Sequence, residues 1–381
     1  MDDELRQRAT AWRRHLHAHP ELSLHERETA RYAGEQLAAM GVPFVAGVGG
    51  HGLVATIARG SSSRSVGLRA DMDALPIEEA TSLPYASRRP GVMHACGHDG
   101  HTASLLAAAA LLARDETWSG TVHLVFQPAE EGHGGAKAMA ADGLFERFPM
   151  ERVFGYHNWP GLDSGTVAVR AGPVMAAGSR VEIRLRGEAG HAAMPHLARD
   201  PVVAAGHLIA ALQSVISREV DPLEAAVVSI CTLEAGVAAN QIPGAVTLRG
   251  TFRSYRPEVH ERVAGAIRRV AAGIAAAFGV AAETTVSRGV GPVVNDADAA
   301  DLAASAAAAI GAPVRRDWPP STASEDFGWF LRDRPGAFAW IGNGPVAPGG
   351  ELHGTGYDFN DAILPTAALW LAEVAKQALL V

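Results

Sequence analysis

Apolar residues recur at helical spacing through about the first forty positions, and the pattern then breaks into short apolar runs at 53–58, 65–70, 121–126 and 153–156, each of strand length. Between them, 102–113 predicts a helix with Asp99 or Thr102 available as its cap. This alternation predicts an α/β fold, in which functional groups gather where strands end and the chain turns toward a helix. From 173 to 288 the order of elements is unusually legible. Val181-Glu182-Ile183-Arg184-Leu185-Arg186 alternates as a half-exposed strand does, and Asp200-Pro201 opens a helix through Ser217 with a cap and a first-turn proline. Strands are predicted at 226–233 and 245–252, then a helix from Pro257 to about Phe278 and a last strand near 283–287. The resulting β-α-β-β-α-β order is the split unit of ferredoxin-like folds. As a self-contained insertion over 173–288, it leaves 1–172 and 289–381 to build one discontinuous α/β domain around a central mixed sheet, to which 337–341 adds a further strand.

Composition narrows the partners. With 381 residues, 48% hydrophobic and 19% charged, the chain can bury a large core divided between two domains. A net charge of -8 with no basic stripe argues against nucleic acid. No uninterrupted apolar run is long enough to cross a bilayer, and Met1-Asp2-Asp3-Glu4-Leu5-Arg6 lacks the apolar core of a signal peptide, so no membrane partner is expected. Two cysteines are too few for a disulfide framework, and the expected compartment is the cytoplasm.

The strongest chemical signal is His94-Ala95-Cys96-Gly97-His98-Asp99-Gly100-His101, which places a thiol, three imidazoles and a carboxylate around two glycines. Thiolate and imidazole suit zinc and its first-row neighbours, and the glycines let the backbone turn so that side chains converge. Gln127-Pro128-Ala129-Glu130-Glu131-Gly132 follows a predicted strand; Pro128 and Gly132 bracket a turn in which one carboxylate can hold a metal while its neighbour faces a substrate. Taken alone, such a pair reads more readily as a solvated acidic turn. His157, in Tyr156-His157-Asn158-Trp159-Pro160, and His353, on a glycine-bracketed loop, are further candidates, although a lone histidine is more often a satisfied structural residue. His15, His17 and His19 are spaced by two, which scatters them around a helix, so they are read as packing residues. Cys231 falls within an apolar strand and reads as core.

Taken together, the segments resemble the M20 metallopeptidase and amidohydrolase family, in particular its aminoacylase, hippurate-hydrolase and auxin-conjugate-hydrolase subgroup. The resemblance spans nearly the whole chain. It rests on Arg14-His15-Leu16-His17 with His19-Pro20-Glu21-Leu22, Arg69-Ala70-Asp71-Met72-Asp73-Ala74-Leu75-Pro76, the Cys96 loop, Pro128-Ala129-Glu130-Glu131-Gly132, Gly190-His191-Ala192-Ala193 with Pro195-His196, Ser324-Glu325-Asp326-Phe327 and the His353 loop.

The resemblance implies two divalent metal ions per subunit, zinc or manganese in the first place with cobalt or nickel as alternatives, held by Cys96, His98, Glu131, His157 and His353. Such a pair, roughly 3.5–4 Å apart, shares a water and lowers its pKa toward neutrality. Glu130 is then the general base. Arg69 stands where more distant members carry a histidine ligand, so that role passes to His98, and Asp71 is expected to orient a ligating imidazole. In the inserted section, which the resemblance makes a lid and dimerisation domain, His191 is expected to reach the opposite subunit's active site and stabilise the oxyanion, while Asn240 and Arg253 grip the substrate carboxylate. The implied function is a homodimeric or larger metal-dependent amidohydrolase that splits N-acyl amino acids. A carboxypeptidase or dipeptidase with the same site is the alternative, and a noncatalytic binding protein is disfavoured because Glu130 is in place.

Overall fold

The computed structural model describes residues 1–381, the side chain of Arg288 apart. The chain divides into two compact units, one of Met1–Val174, Val293–Pro319 and Glu325–Val381, the other of Met175–Pro292 and Pro320–Ser324.

The first unit is built on an eight-stranded mixed sheet. In spatial order it runs Phe44–Val48, Gly52–Arg59, Gly120–Gln127, Ser65–Asp71, Arg152–Pro160, Gly336–Gly344, Val167–Ala168 and Val314–Arg315. Its centre is parallel: Ser65–Asp71 pairs in parallel with Gly120–Gln127 on one side and with Arg152–Pro160 on the other, and Gly336–Gly344 continues the parallel set. Strands covered on both faces read as continuous apolar runs, which is why 65–70 and 121–126 stand out in the sequence. The helix beginning in the Cys96 loop, His98–Arg114, is buried almost all round. Its alanines allow that close approach: Ala103 and Ala107 to Ala109 are fully buried, and at Gly100 a Cβ would run into the ring of Phe359.

The second unit carries a four-stranded antiparallel sheet in the order Ala226–Ala235, Ala245–Ser254, Ala177–Arg186 and Ala281–Arg288. Helices Pro201–Glu219 and Pro257–Phe278 complete the chain order β-α-β-β-α-β. Val181, Ile183 and Leu185 are buried in a shared core with Leu208, Leu212, Leu248 and Ile267, while Arg180, Glu182, Arg184 and Arg186 point the other way. Asp200 caps the first helix by accepting from the Val202 and Val203 amides at 2.8 and 3.2 Å. That helix is long and apolar enough by composition to cross a membrane, and it buries Ala204, Ala205, Leu208, Leu212 and Val215 in this core. Cys231 corrects the sequence reading, for it is exposed. Its strand lies at the sheet edge, and a register shift between Ile230 and Thr232 takes it out of the in-and-out alternation.

Candidate metal centre

The candidate ligands gather at the carboxyl ends of the parallel strands. Asp71 closes the strand Ser65–Asp71, and Gln127 closes Gly120–Gln127 just ahead of the two glutamates. His157 lies inside Arg152–Pro160, since pairing with Gly336–Gly344 carries that strand beyond its predicted end. Gly97 has φ +97, and a Cβ there would strike Asn158 Oδ1 and the Tyr357 hydroxyl, so only glycine lets the chain turn from Cys96 into the helix that starts at His98. Neither predicted capping side chain caps that helix. Asp99 binds Arg13 and His17 at 2.9 and 2.8 Å, and Thr102 donates to the Asp71 carbonyl at 2.8 Å. His353 takes the left-handed conformation, φ +65, and its amide donates to the Ala95 carbonyl at 2.8 Å, which ties the carboxyl-terminal loop to the Cys96 loop.

Cys96 Sγ lies 3.2 Å from His157 Nε2. Glu131 Oε1 stands 3.3 Å from His353 Nε2 and 4.0 Å from His98 Nε2. Donor atoms of Cys96, His98 and His157 fall within 4.8 Å of one another, as do those of Cys96, Glu131 and His353, and those of His98, Glu130 and Glu131. Three details fit these side chains to divalent cations. His98 donates from Nδ1 to the Asp73 carbonyl at 2.9 Å, and His157 from Nδ1 to the Asn158 carbonyl at 2.6 Å, so each leaves an Nε2 lone pair facing the cluster. His98 Nε2 and Glu131 Oε1 are buried without a hydrogen bond. The donor set of one thiol, three imidazoles and one carboxylate is the chemistry that zinc and similar ions select.

The local electrostatics are steep. Burial pushes the Cys96 thiol up, with Glu131 and Glu130 adding to the effect; a divalent cation reverses that preference, because a coordinating thiol is deprotonated. Burial works against the cationic form of His98, yet Asp71 and Asp73 raise it to about 10. Burial also opposes ionisation of Asp71, but Arg69, His98 and His101 hold it well below the usual carboxylate range. Glu130 is pushed well up by burial first and by Glu325 and Glu131 next, as a base kept out of water among other carboxylates should be.

Asp71 faces two imidazoles, accepting from His101 Nδ1 at 2.6 Å and lying 3.6 Å from His98 Nε2. The carboxylate that meets His98 Nδ1 is that of Asp73, at 3.2 Å, a residue given no role in the sequence reading. Its signal was present in the alternation of Asp71 and Asp73 at a strand end. His17 is buried against Asp99 and Glu79 and raised to about 9, whereas His15 and His19 lie outward against Tyr32 and each other. In the second unit, the short strand Gly190–His191 pairs with Gln241–Ile242, and the Ala192 amide donates to the Asn240 carbonyl at 3.0 Å, so His191 and Asn240 are held close together. Arg253 is half-buried, and a Cβ on Gly178 would lie 2.8 Å from its Nη1.

Glu26 was also missed. Its Oε1 accepts from the amides of Ala129 and Leu24 at 2.7 and 3.1 Å, while its buried Oε2 has no partner. Burial first, then Asp73, raises its carboxyl to about 7. A carboxyl raised on folding contributes its stability at low pH and loses it as pH climbs from about 4.5 through about 7. Glu26→Gln is therefore expected to be worth about 1–3 kcal/mol more, relative to the parent, at pH 8 than at pH 5. Urea unfolding at the two pH values measures this, and an equal difference at both would remove Glu26 as the source.

The family profile of peptidase family M20/M25/M40 matches residues 67–377. A hippurate hydrolase of Campylobacter jejuni is 41% identical over 371 residues, 96% of this chain and 95% of its own length. An N-acetyl-L-cysteine deacetylase of Bacillus subtilis is 39% identical over 96% of this chain and 87% of its own. Among solved structures, a Bacillus subtilis protein described as a dinuclear metal binding peptidase from the M20 family superposes with a TM-score of 0.87 at 36% identity, covering 98% of each chain.

Proposed function

The chain belongs to peptidase family M20/M25/M40 and is a hydrolase of that family, and from that premise we propose that it cleaves the amide bond of N-acyl amino acids, releasing a carboxylic acid and a free amino acid. The observation that carries this reading is the meeting of Cys96, His98, Glu131, His157 and His353 in one cluster with Glu130 beside it. We assign those five as ligands of two divalent cations, zinc or manganese, which when bound supply Lewis acidity to the amide carbonyl and to the attacking water.

The chain's own groups do the rest. Glu130, with its proton affinity raised by burial, takes the proton from the water as it attacks the amide carbon and later delivers it to the departing nitrogen. Asp71 and Asp73 hold the imidazoles around the cluster. His191 is assigned to the oxyanion across a homodimer formed through the second unit, and Asn240 and Arg253 to the substrate's free carboxylate, for which a planar guanidinium offers two parallel charge-assisted bonds. The two thiols, Cys96 and Cys231, are unpaired, which accords with the cytoplasm as the place of action.

A second reading, hydrolysis of short peptides, draws on the Bacillus subtilis structure described as a peptidase. A panel of N-acetyl, N-benzoyl and indole-acyl amino acids beside dipeptides, followed by release of free amine, separates the two. Release from acyl amino acids is expected to stop on chelation and to return with added zinc or manganese. Turnover indifferent to the chelator would overturn the metal-dependent reading, and release from dipeptides alone would favour the second.

A further inference from the structure

Glu130 stands between two groups of side chains. One carboxylate oxygen lies within 4.8 Å of donor atoms of His98 and Glu131, and the same residue falls within that distance of carboxylate oxygens of Glu325 and Asp326. The second group has no place in the ligand set. Arg69, Gln127, Glu325 and Asp326 are all buried in the same unit, and they are joined by hydrogen bonds.

Glu130 sits on a narrow-necked loop, residues 128–134, between the strand Gly120–Gln127 and the helix Gly135–Ala141. The neck is tight: the Gly135 amide donates to the Ala129 carbonyl at 2.9 Å, and a Cβ on Gly135 would collide with the Pro128 carbonyl. Ala129 takes a left-handed conformation, φ +55, that an alanine keeps only where its surroundings enforce it. Asp326 reaches both sides of this neck. Its Oδ1 accepts from Gln127 Nε2 at 2.7 Å on the strand side, and its Oδ2 accepts from the Ala136 amide at 2.9 Å on the helix side. Its own backbone N–H donates to Glu130 Oε1 at 3.2 Å. Arg69 completes the frame, donating from Nε to Gln127 Oε1 at 2.8 Å and lying 3.3 Å from Asp326 Oδ1.

We infer that Asp326 is a positioning residue for the reaction: by clasping both ends of the loop and hydrogen bonding to Oε1 of Glu130, it fixes the rotation of that carboxylate and leaves Oε2 to take the proton. The inference rests on Glu130 being the base. It explains why one residue bonds to the base and to both of its flanks while standing outside the groups formed by the five assigned ligands. A displacement of about 1 Å at a reacting group costs on the order of 10²-fold in rate, so a clasp of this kind has a measurable value.

The test compares Asp326→Asn, Gln127→Met and Glu130→Gln in the zinc-loaded enzyme. Asp326→Asn keeps the backbone N–H but puts an amide where one carboxylate oxygen received a donor. Its kcat is expected to fall about 10–100-fold, with KM and zinc content within about twofold of the parent. Gln127 makes no hydrogen bond to Glu130, and Gln127→Met loosens the strand side of the clasp together with its bond from Arg69 Nε; a fall of about 3–10-fold, again confined to kcat, is expected and decides the matter if Asp326→Asn does not fold. If the variants fold and keep the parent kcat, or lose rate only through KM or through loss of zinc, the positioning role is overturned. Should Glu130→Gln itself keep the parent kcat, the assignment of the base fails instead, which distinguishes the two failures.

Discussion

Replacing Glu130 with glutamine is expected to lower kcat by on the order of 10²–10⁴ while leaving KM and bound metal close to the parent values. Glutamine matches glutamate in size, and its carbonyl oxygen can still accept the Asp326 N–H that now meets Oε1, so the loop has no reason to move. What disappears is the ability to accept and return a proton. The environment is consistent with such a role, since burial and the neighbouring Glu325 and Glu131 raise the Glu130 carboxyl well above its ordinary range, strengthening it as a base. Steady-state kinetics on the preferred acyl amino acid with elemental analysis of the same preparations measures both quantities. A variant that turns over at the parent rate would remove Glu130 from the chemistry, and one that loses its metal would make it a ligand.

The largest stability effect is expected at Arg69. Its side chain is fully buried, with Nη1 2.8 Å from Asp71, Nη2 2.9 Å from Glu325 and 3.3 Å from Asp326, and Nε on Gln127. Three carboxylates thus depend on one guanidinium in a place that water does not reach. Arg69→Met keeps much of the volume and removes the charge and every donor, and a loss of about 3–5 kcal/mol is expected because the acidic partners stay buried without compensation. Arg69→Lys returns the charge but not the planar fork, and is expected to recover only part of the loss. The pH dependence has a definite sign. Burial opposes the ionised form of Asp71, but Arg69 and the two histidines hold its carboxyl low, so this group's contribution is present above the ordinary carboxylate range and fades as pH falls through its depressed folded value. The difference between parent and Arg69→Met, measured by urea unfolding, should therefore narrow in acid. A loss below about 1 kcal/mol at neutral pH would show that the network does not depend on this cation.

Much of this arrangement was legible in the chain itself. The alternation of Val181 to Arg186, the Asp200-Pro201 helix start and the apolar runs at 65–70 and 121–126 are local patterns, and each follows from a strand or helix presenting one face or both to a core. The Cys96 loop and the Glu130-Glu131 pair were visible because a metal ligand has to be a particular residue type and a turn has to have its glycines. Cys231 was misread because local apolar character does not reveal whether a strand lies at the edge or where its register shifts.

What the sequence determined alone was therefore the inventory of elements and the ligand chemistry, both of which depend on residue type and near neighbours. Only the folded chain decided which carboxylate serves which partner: that Asp73 meets Nδ1 of His98, that Glu26 and Asp326 hold the loop of Glu130, and that Arg69 answers not only its near neighbour Asp71 but also Glu325 and Asp326, more than 250 residues away. The physical reason is that a buried charge must be matched in space. Parallel strands bring their carboxyl ends together from distant parts of the chain, so the match is set by packing, which no local spacing encodes.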